Sequence, residues 1–246
     1  MSNIAEIYFY TVKIAFFSTI IALIIGFPVS FFTAKRIFFC RKFILSASAI
    51  PLCVPTLVVA LGYVSFFGVN GIVNKFLGTN FSFLYSTAGI VIAQGFYNFP
   101  FVTGILNDAW EKLSPEQENA ARLLGANEKR VFFTVTLKQL SGALAAAAIP
   151  VFLFCFFSFM IVMIFSSPGV STLEVEIYHS IRTTLNIQTG VKLGILETIT
   201  ALLIVFAYSH LIRKNQKGGD GIDFVPVNRK KLSKIESCIL GSLLII

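Results

Sequence analysis

Long apolar stretches alternate with short polar segments along this chain, and this pattern predicts its elements. The stretches cover residues 14–32, 43–67, 86–106, 142–165 and 191–212. Because a helix rises 1.5 Å per residue, each stretch is long enough to cross ~30 Å of hydrocarbon. The pattern therefore predicts an all-α, polytopic membrane helix bundle with five complete spans.

The last part of the chain follows a different pattern. Residues 237–246 are apolar but too few to cross a bilayer, so we interpret residues 236–246 as the start of a further, truncated sixth span. A polar, glycine-rich and then basic segment precedes them, a composition typical of a linker. We therefore expect a cytoplasmic linker at residues 214–235.

The basic residues predict the orientation in the membrane. Sixteen of the twenty Lys and Arg residues fall in the segments after the first, third and fifth spans. Because cytoplasmic segments of membrane proteins are enriched in Lys and Arg, these segments are predicted to be cytoplasmic. The N-terminus is then outside.

Composition supports a membrane protein and gives no sign of a nucleic-acid or metal site. Hydrophobic residues make up 56% of the chain and charged residues only 13%, about half the usual charged share of a soluble domain. The net charge of +8 lies in inter-span segments and forms no basic stripe with interleaved aromatics, so no nucleic acid is expected. The four Cys and two His show no ligand spacing, so neither a metal nor a cofactor is expected.

The longest polar insert, at residues 107–141, contains an ordered helix–turn–helix pattern. Ser114 before Pro115, with Gln117 three residues after the serine, predicts a capping-box helix start. Gly125 predicts the end of that helix, and Asn127 predicts the cap of a second one. We expect an elbow on the cytoplasmic surface.

The elbow resembles the coupling loop of ABC importer permeases. That family has Glu-Ala-Ala, three intervening residues, Gly, nine intervening residues, and then Ile-x-Leu-Pro. The matching positions here are Asn119, Ala120, Ala121, Gly125, Val135 and Leu137. The chain departs from the pattern in two places, because Asn119 stands where the family has Glu, with Glu118 one place earlier, and Lys138 stands where it has Pro.

The residue types suit a docking role independently of the resemblance. The two alanines allow close approach to another protein, Gly125 permits the reversal, and Leu123 and Leu124 offer apolar anchors. The residues predicted to couple to an ATPase subunit are Glu118, Asn119, Ala120, Ala121, Leu123, Leu124 and Gly125. The alternative is a solvated connector with helical propensity.

Further positions resemble the N-terminal half of the thiamine and ferric-iron branch of these permeases. They are Phe96, Asn98, Pro100, the stretch from Cys155 to Phe159, Ser171, Thr172, Leu173, Glu174, Ile177 and Tyr178. The resemblance implies a type-1 transmembrane domain over residues 1–213 of a protein in the bacterial inner membrane. It also implies alternating access for thiamine or, alternatively, ferric iron. Since members of this branch are usually two fused halves, we expect a fragment, a split-gene product or a non-functional remnant.

The same resemblance implies partners in place of an activity. No phosphate-binding loop occurs in the chain, so ATP would be hydrolysed by a cytoplasmic ABC ATPase subunit dimer, and the chain itself is predicted not to be an enzyme. A periplasmic substrate-binding protein would deliver substrate. A second permease half, fused or separate, would complete the path within the lipid bilayer.

Candidates for the substrate path are Asn98, Pro100 and Glu197. A carboxylate inside a span, such as Glu197, is costly and often functional, although a hydrogen bond between helices is the simpler explanation. Prolines within the spans mark either hinges or ordinary helix irregularity; they are Pro28, Pro51, Pro55, Pro100 and Pro150. A proton-coupled transporter would need more intramembrane ionisable residues. An intramembrane hydrolase would need a nucleophile with its base.

Overall fold

The computed structural model describes residues 3–47, 53–79, 82–167, 171–216, 230–231 and 233–245, and these are almost entirely helical. The helices are α1 Ile4–Lys35, α2 Arg41–Ala47, α3 Thr56–Phe67, α4 Ile72–Leu77, α5 Thr87–Glu111, α6 Pro115–Leu123, α7 Glu128–Val131, α8 Leu137–Phe156, α9 Met160–Phe165, α10 Leu173–Tyr178, α11 Ile187–Gln216 and α12 Lys234–Ile245. A 3₁₀ turn, Phe83–Tyr85, precedes α5, and π-helical turns follow α7 (Phe132–Thr136) and α10 (His179–Thr183).

Five helical segments of the described residues are long and apolar enough to cross a membrane. They are Ile4–Lys35, Thr56–Leu77, Thr87–Glu111, Glu128–Phe156 and Ile187–His210. The predicted all-α membrane bundle with five spans is therefore confirmed. The placement of the N-terminus outside stays a prediction, as do the domain limits.

The predicted second span is wrong as a single helix over residues 43–67. The short helix α2 ends at Ala47, and α3 begins only at Thr56, after Pro55 in an extended conformation. Proline lacks the N–H that a helix interior needs, so it is tolerated at a helix start and disrupts a continuous helix. Residues 48–52, including Pro51, lie outside the described residues.

The fourth predicted span is also wrong at both ends. Helix α8 ends at Phe156, and α9 starts at Met160 after a break. On the other side, α7, the π-turn and α8 follow one another without interruption, so the helix starts at Glu128. Pro28, Pro100 and Pro150 lie inside helices, as expected.

The centre of the bundle is the contact between α1 and α5, which run parallel. Gly26 lies so close to Val102 that a Cβ added to the glycine would stand 2.7 Å from that side chain. A Cβ added to Gly95 would stand 2.6 Å from Ile21. Small residues allow two membrane helices to approach in this way. Helix α8 packs against both of them and completes the core.

The last described segment docks on the end of α1. Arg36–Ile37 pairs in parallel with Lys230–Lys231 as a two-residue bridge. Arg36 Nε lies 3.0 Å from both carboxylate oxygens of Glu236, in the first turn of α12. Helix α12 is formed by the residues that we interpret as the start of a sixth span, and this interpretation stays a prediction. Residues 217–229, most of the predicted linker, lie outside the described residues.

Candidate functional site

The elbow consists of α6, a reversal and α7, and its start differs slightly from the sequence expectation. Ser114 Oγ accepts a hydrogen bond from the Glu116 N–H at 3.3 Å, so Ser114 caps α6 as predicted. The second half of the expected capping box is not formed by Gln117. Instead, the side-chain oxygen of Gln117 accepts a hydrogen bond from Gln139 Nε2 at 2.9 Å, and this bond ties α6 to the base of α8.

The reversal after α6 is closed by a Schellman motif. The Gly125 N–H donates to the Arg122 carbonyl at 2.9 Å, and the Ala126 N–H donates to the Ala121 carbonyl at 3.1 Å. Gly125 has a φ of 84°, the left-handed conformation that glycine adopts most easily. Asn127 Oδ1 accepts from the Arg130 N–H at 2.9 Å and caps α7. The helix end and the second cap are confirmed.

Arg122 is the centre of the polar contacts that hold the elbow. Its guanidinium donates to Glu128 at 2.8 Å and 3.1 Å and to Asn119 Oδ1 at 3.1 Å, and it lies 3.5 Å from Glu118. The hydrogen bond to Glu128 raises the pKa of Arg122 above its ordinary value, so the group is always charged. Glu118 in turn accepts from Thr136 Oγ1 at 2.7 Å. The two arms are therefore cross-linked.

The tip of the elbow exposes apolar side chains. Leu123 is 90% exposed and Leu124 is 89% exposed, and nothing lies within 4 Å of a Cβ added at Gly125. Ala120 is exposed beside them, and Ala121 is half-buried. The structure thus brings the predicted coupling residues together on one protruding, internally braced turn.

A cleft of about 370 Å³ separates the elbow from the end of α1. Its walls include Lys35 and Trp110 on one side and Glu118 and Glu128 on the other. The Lys35 ammonium lies 5.9 Å from the centre of the Trp110 ring. Beside this cleft, Phe132 directly after α7 contacts Phe27 of α1 with ring centres 6.3 Å apart, so the base of the elbow packs on the bundle.

Asn98 lies in the interior of the bundle. It is 3% exposed, and its Nδ2 donates to the Gln94 carbonyl at 2.8 Å and approaches Cys155 Sγ at 3.5 Å. Gln94 also accepts from Ser18 Oγ at 2.8 Å. These side chains form a polar cluster between α1, α5 and α8 that sequence reasoning missed. Polar side chains within otherwise apolar stretches were the available signal.

Pro100 lies two residues after Asn98, where it is half-buried within α5. Glu197 occupies a different place, on α11. It is 6% exposed, and its Oε1 has no hydrogen-bond partner among the described residues. It interacts electrostatically with Glu174 of α10. The three path candidates therefore belong to two separate regions.

The described residues include no group of three or more His, Cys, Asp or Glu side chains that could hold a metal ion. The features that stand out are a helical bundle with five candidate spans and one braced, protruding elbow. Together they define a polytopic membrane protein with a surface elbow suited to docking.

Comparison with known proteins gives the family. Residues 26–217 match the family model described as "Binding-protein-dependent transport system inner membrane component". The chain belongs to this family of ABC importer permeases, which are non-catalytic membrane subunits, and it is a multi-pass protein of the bacterial inner membrane. The recognition of an ABC importer permease from the elbow is confirmed.

Individual relatives show how far the similarity extends. The chain is 28% identical over 215 residues to the thiamine transport system permease protein ThiP of Brucella abortus, which covers 85% of the chain and 40% of the relative. It is 32% identical over 145 residues to the sulfate transport system permease protein CysT of Salmonella typhimurium, covering 58% and 52%. The chain thus spans about half the length, or less, of these relatives.

Solved structures share the fold. A bacterial ABC transporter that imports the acidic polysaccharide alginate matches with a TM-score of 0.61 at 17% identity, over 87% of this chain and 80% of that one. An amino acid ABC transporter matches with a TM-score of 0.58 at 16% identity, over 86% and 93%.

Proposed function

We propose that this chain forms part of the translocation path of an ATP-driven importer and that its substrate is thiamine. The elbow at residues 115–137 faces the cytoplasm and docks into a separate ATPase subunit. A periplasmic binding protein delivers substrate to the opposite end, and a second permease half completes the path. The chain hydrolyses no ATP itself.

The observation that carries the proposal is the pair of almost fully exposed leucines on a braced turn. Leu123 and Leu124 each leave an apolar side chain in water at the most protruding part of the elbow. A partner that covers these two side chains gains binding free energy, because burying a leucine contributes ~1.5–3 kcal/mol. The small side chains of Ala120 and Ala121 leave room for the partner's surface.

The helix connectivity supports a mechanical role for the elbow. Its second arm, α7, continues through the π-turn into α8 without a break, from Glu128 to Phe156. The contacts of Arg122 and Glu118 fix the first arm to the second. A displacement of the tip by a closing ATPase dimer would therefore move the fourth span as one body.

Two features support thiamine. The similarity to the thiamine permease extends over 85% of the chain, against 58% for the sulfate permease. The far end of the bundle also carries the carboxylates of Glu174 and Glu197 on adjacent helices, which favour a cationic substrate over an anionic one.

The test is to place a charge on the elbow. In the importer reconstituted in proteoliposomes with its binding protein, Ala120→Glu should abolish most of the substrate-stimulated ATP hydrolysis and uptake. Lys112→Glu, an exposed charge change in the same insert but before α6, serves as the matched control and should leave both near the wild-type level.

Normal stimulation in Ala120→Glu would contradict the coupling role. Labelling of a single cysteine at position 124 by a membrane-impermeant reagent added from the periplasmic side would contradict the orientation.

A further inference from the structure

A helical hairpin at the far end of the bundle places two carboxylates on adjacent helices. Helix α10 and its π-turn lead to Leu185, whose φ of 54° marks the reversal, and α11 returns. Gly190 packs against Ile181, with an added Cβ only 2.6 Å from Ile181 Cγ1. Glu174 lies seven residues before Ile181, and Glu197 lies seven residues after Gly190. Each carboxylate is therefore about two helical turns from this contact. The two carboxylates therefore lie on adjacent helices, and the charge of Glu174 acts on Glu197.

Hydrogen bonds place this pair near the first turns of α1. The Leu173 N–H, next to Glu174, donates to Thr11 Oγ1 at 3.0 Å. Thr200, three residues after Glu197, lies 3.5 Å from the Tyr8 hydroxyl. The carboxylates thus lie at the end of the bundle opposite the elbow, where a substrate enters in the proposed orientation.

Neither carboxylate forms an ion pair within the part of the chain that the structure describes. Glu197 is 6% exposed, and its Oε1 has no hydrogen-bond partner in the part of the chain that the structure describes. Burial raises the pKa of Glu174, which is half-buried. Two close carboxylates in apolar surroundings cannot both stay ionised without a proton or a cation between or beside them.

A cavity of about 260 Å³ opens beside Glu174. Its lining is Phe159, Glu174, Ile177, Tyr178, Ile181 and Arg182. The rings of Phe159 and Tyr178 lie 5.2 Å apart. A carboxylate combined with aromatic faces is the usual chemistry for binding an organic cation, which gains both charge attraction and cation–π contact. Arg182 is exposed and can turn its charge to water.

We propose that this cavity binds a small organic cation, held by the Glu174 carboxylate and by the rings of Phe159 and Tyr178. The identity of the cation as thiamine, whose thiazolium ring carries the positive charge, rests on the proposed function. An inorganic anion such as sulfate would be repelled by the Glu174 carboxylate. A metal ion would find one carboxylate in the cavity wall, too few ligands to hold it.

The experiment measures binding directly and requires no ATP. The importer containing this chain and its partner subunits is placed in lipid nanodiscs, and labelled thiamine is titrated by equilibrium dialysis without the binding protein. Glu174→Gln should weaken thiamine binding by roughly tenfold, because it removes the charge and keeps the shape. Glu176→Gln, the same substitution two residues along α10 but outside the cavity lining, is the matched control and should change binding by less than about twofold.

Two further variants separate charge from folding. Tyr178→Phe keeps the aromatic face and should bind thiamine like the wild type, whereas Tyr178→Leu should weaken binding several-fold. Arg182→Gln removes a repulsive charge and should bind thiamine at least as tightly. Equal binding in Glu174→Gln and the wild type, equal losses in Glu174→Gln and Glu176→Gln, or weaker binding in Arg182→Gln would each overturn the proposal.

The result is independent of the coupling role. Thiamine binding that depends on Glu174 in an importer whose ATP hydrolysis ignores the elbow would support the cation site and contradict the proposed function. Elbow-dependent uptake of sulfate with no saturable thiamine binding would support the importer and overturn the cation site.

Discussion

Truncation of the elbow leucines gives the sharpest test of how this chain engages its motor. In Leu124→Ala, three carbon atoms are removed from a side chain that is 89% exposed in the isolated chain. At ~0.8 kcal/mol per buried CH₂, complete burial in the partner makes this loss worth ~2.4 kcal/mol. That corresponds to a roughly 50-fold weaker affinity for the ATPase subunit, since 1.4 kcal/mol is a factor of ten. Leu123→Ala should behave in the same way.

The assay is dissociation of the ATPase subunit from the permease in nanodiscs, followed by biolayer interferometry. The loss should appear mainly as faster dissociation, because mutations at one interface change the association rate little. The thermal stability of the permease alone should not change, since Leu123 and Leu124 make almost no contacts within the chain. Leu77→Ala, a 62% exposed leucine at the opposite end of the bundle, is the control and should leave the affinity unchanged.

An affinity within twofold of the wild type for both elbow variants would refute the reasoning. It would mean that the exposed leucines stay in water in the assembled importer. A loss of affinity in Leu77→Ala equal to that of the elbow variants would refute it as well, since the effect would then be general.

Two other predictions concern glycines. Gly125→Ala forces a side chain into the left-handed region with a φ of 84° and free space around it, so it should cost ~1–2 kcal/mol of elbow stability. Hydrogen exchange over residues 115–124 should accelerate, whereas Gly78→Ala, with a φ of 62° at the other end, should leave that exchange unchanged. Gly95→Ala places a Cβ against the neighbouring helix and should lower thermal stability by ~1–3 kcal/mol. Gly194→Ala meets no atom within 4 Å and should be neutral or stabilising by up to ~1 kcal/mol; equal effects of the two substitutions would contradict the packing argument.

The elbow was predicted in detail because its structure depends on local interactions. The cap at Ser114, the left-handed Gly125 and the cap at Asn127 each involve hydrogen bonds between residues two to five positions apart. Such bonds follow from the order of residue types alone. What local reasoning missed there is the contact between Gln117 and Gln139, which spans 22 positions.

The span limits were predicted less well, because apolar composition and helix continuity are different properties. Residues 43–67 are apolar throughout, yet α3 starts only after Pro55. Residues 142–165 are likewise apolar, yet the helix breaks after Phe156. Lipid tolerates such breaks where neighbouring helices cover the backbone, and the hydropathy pattern does not record those neighbours.

The sequence by itself determined that much of this chain lies in lipid, that it has five segments able to cross a membrane, and that a helix–turn–helix elbow follows the third of them. Transfer free energy and hydrogen bonds between near neighbours follow from the chain order. Only the tertiary structure decided that Asn98 is packed among other helices and that Glu174 lines a cavity with Phe159 and Tyr178. These contacts join residues on different helices. Their geometry depends on how helices cross and on the register of a hairpin, which side-chain packing sets in three dimensions.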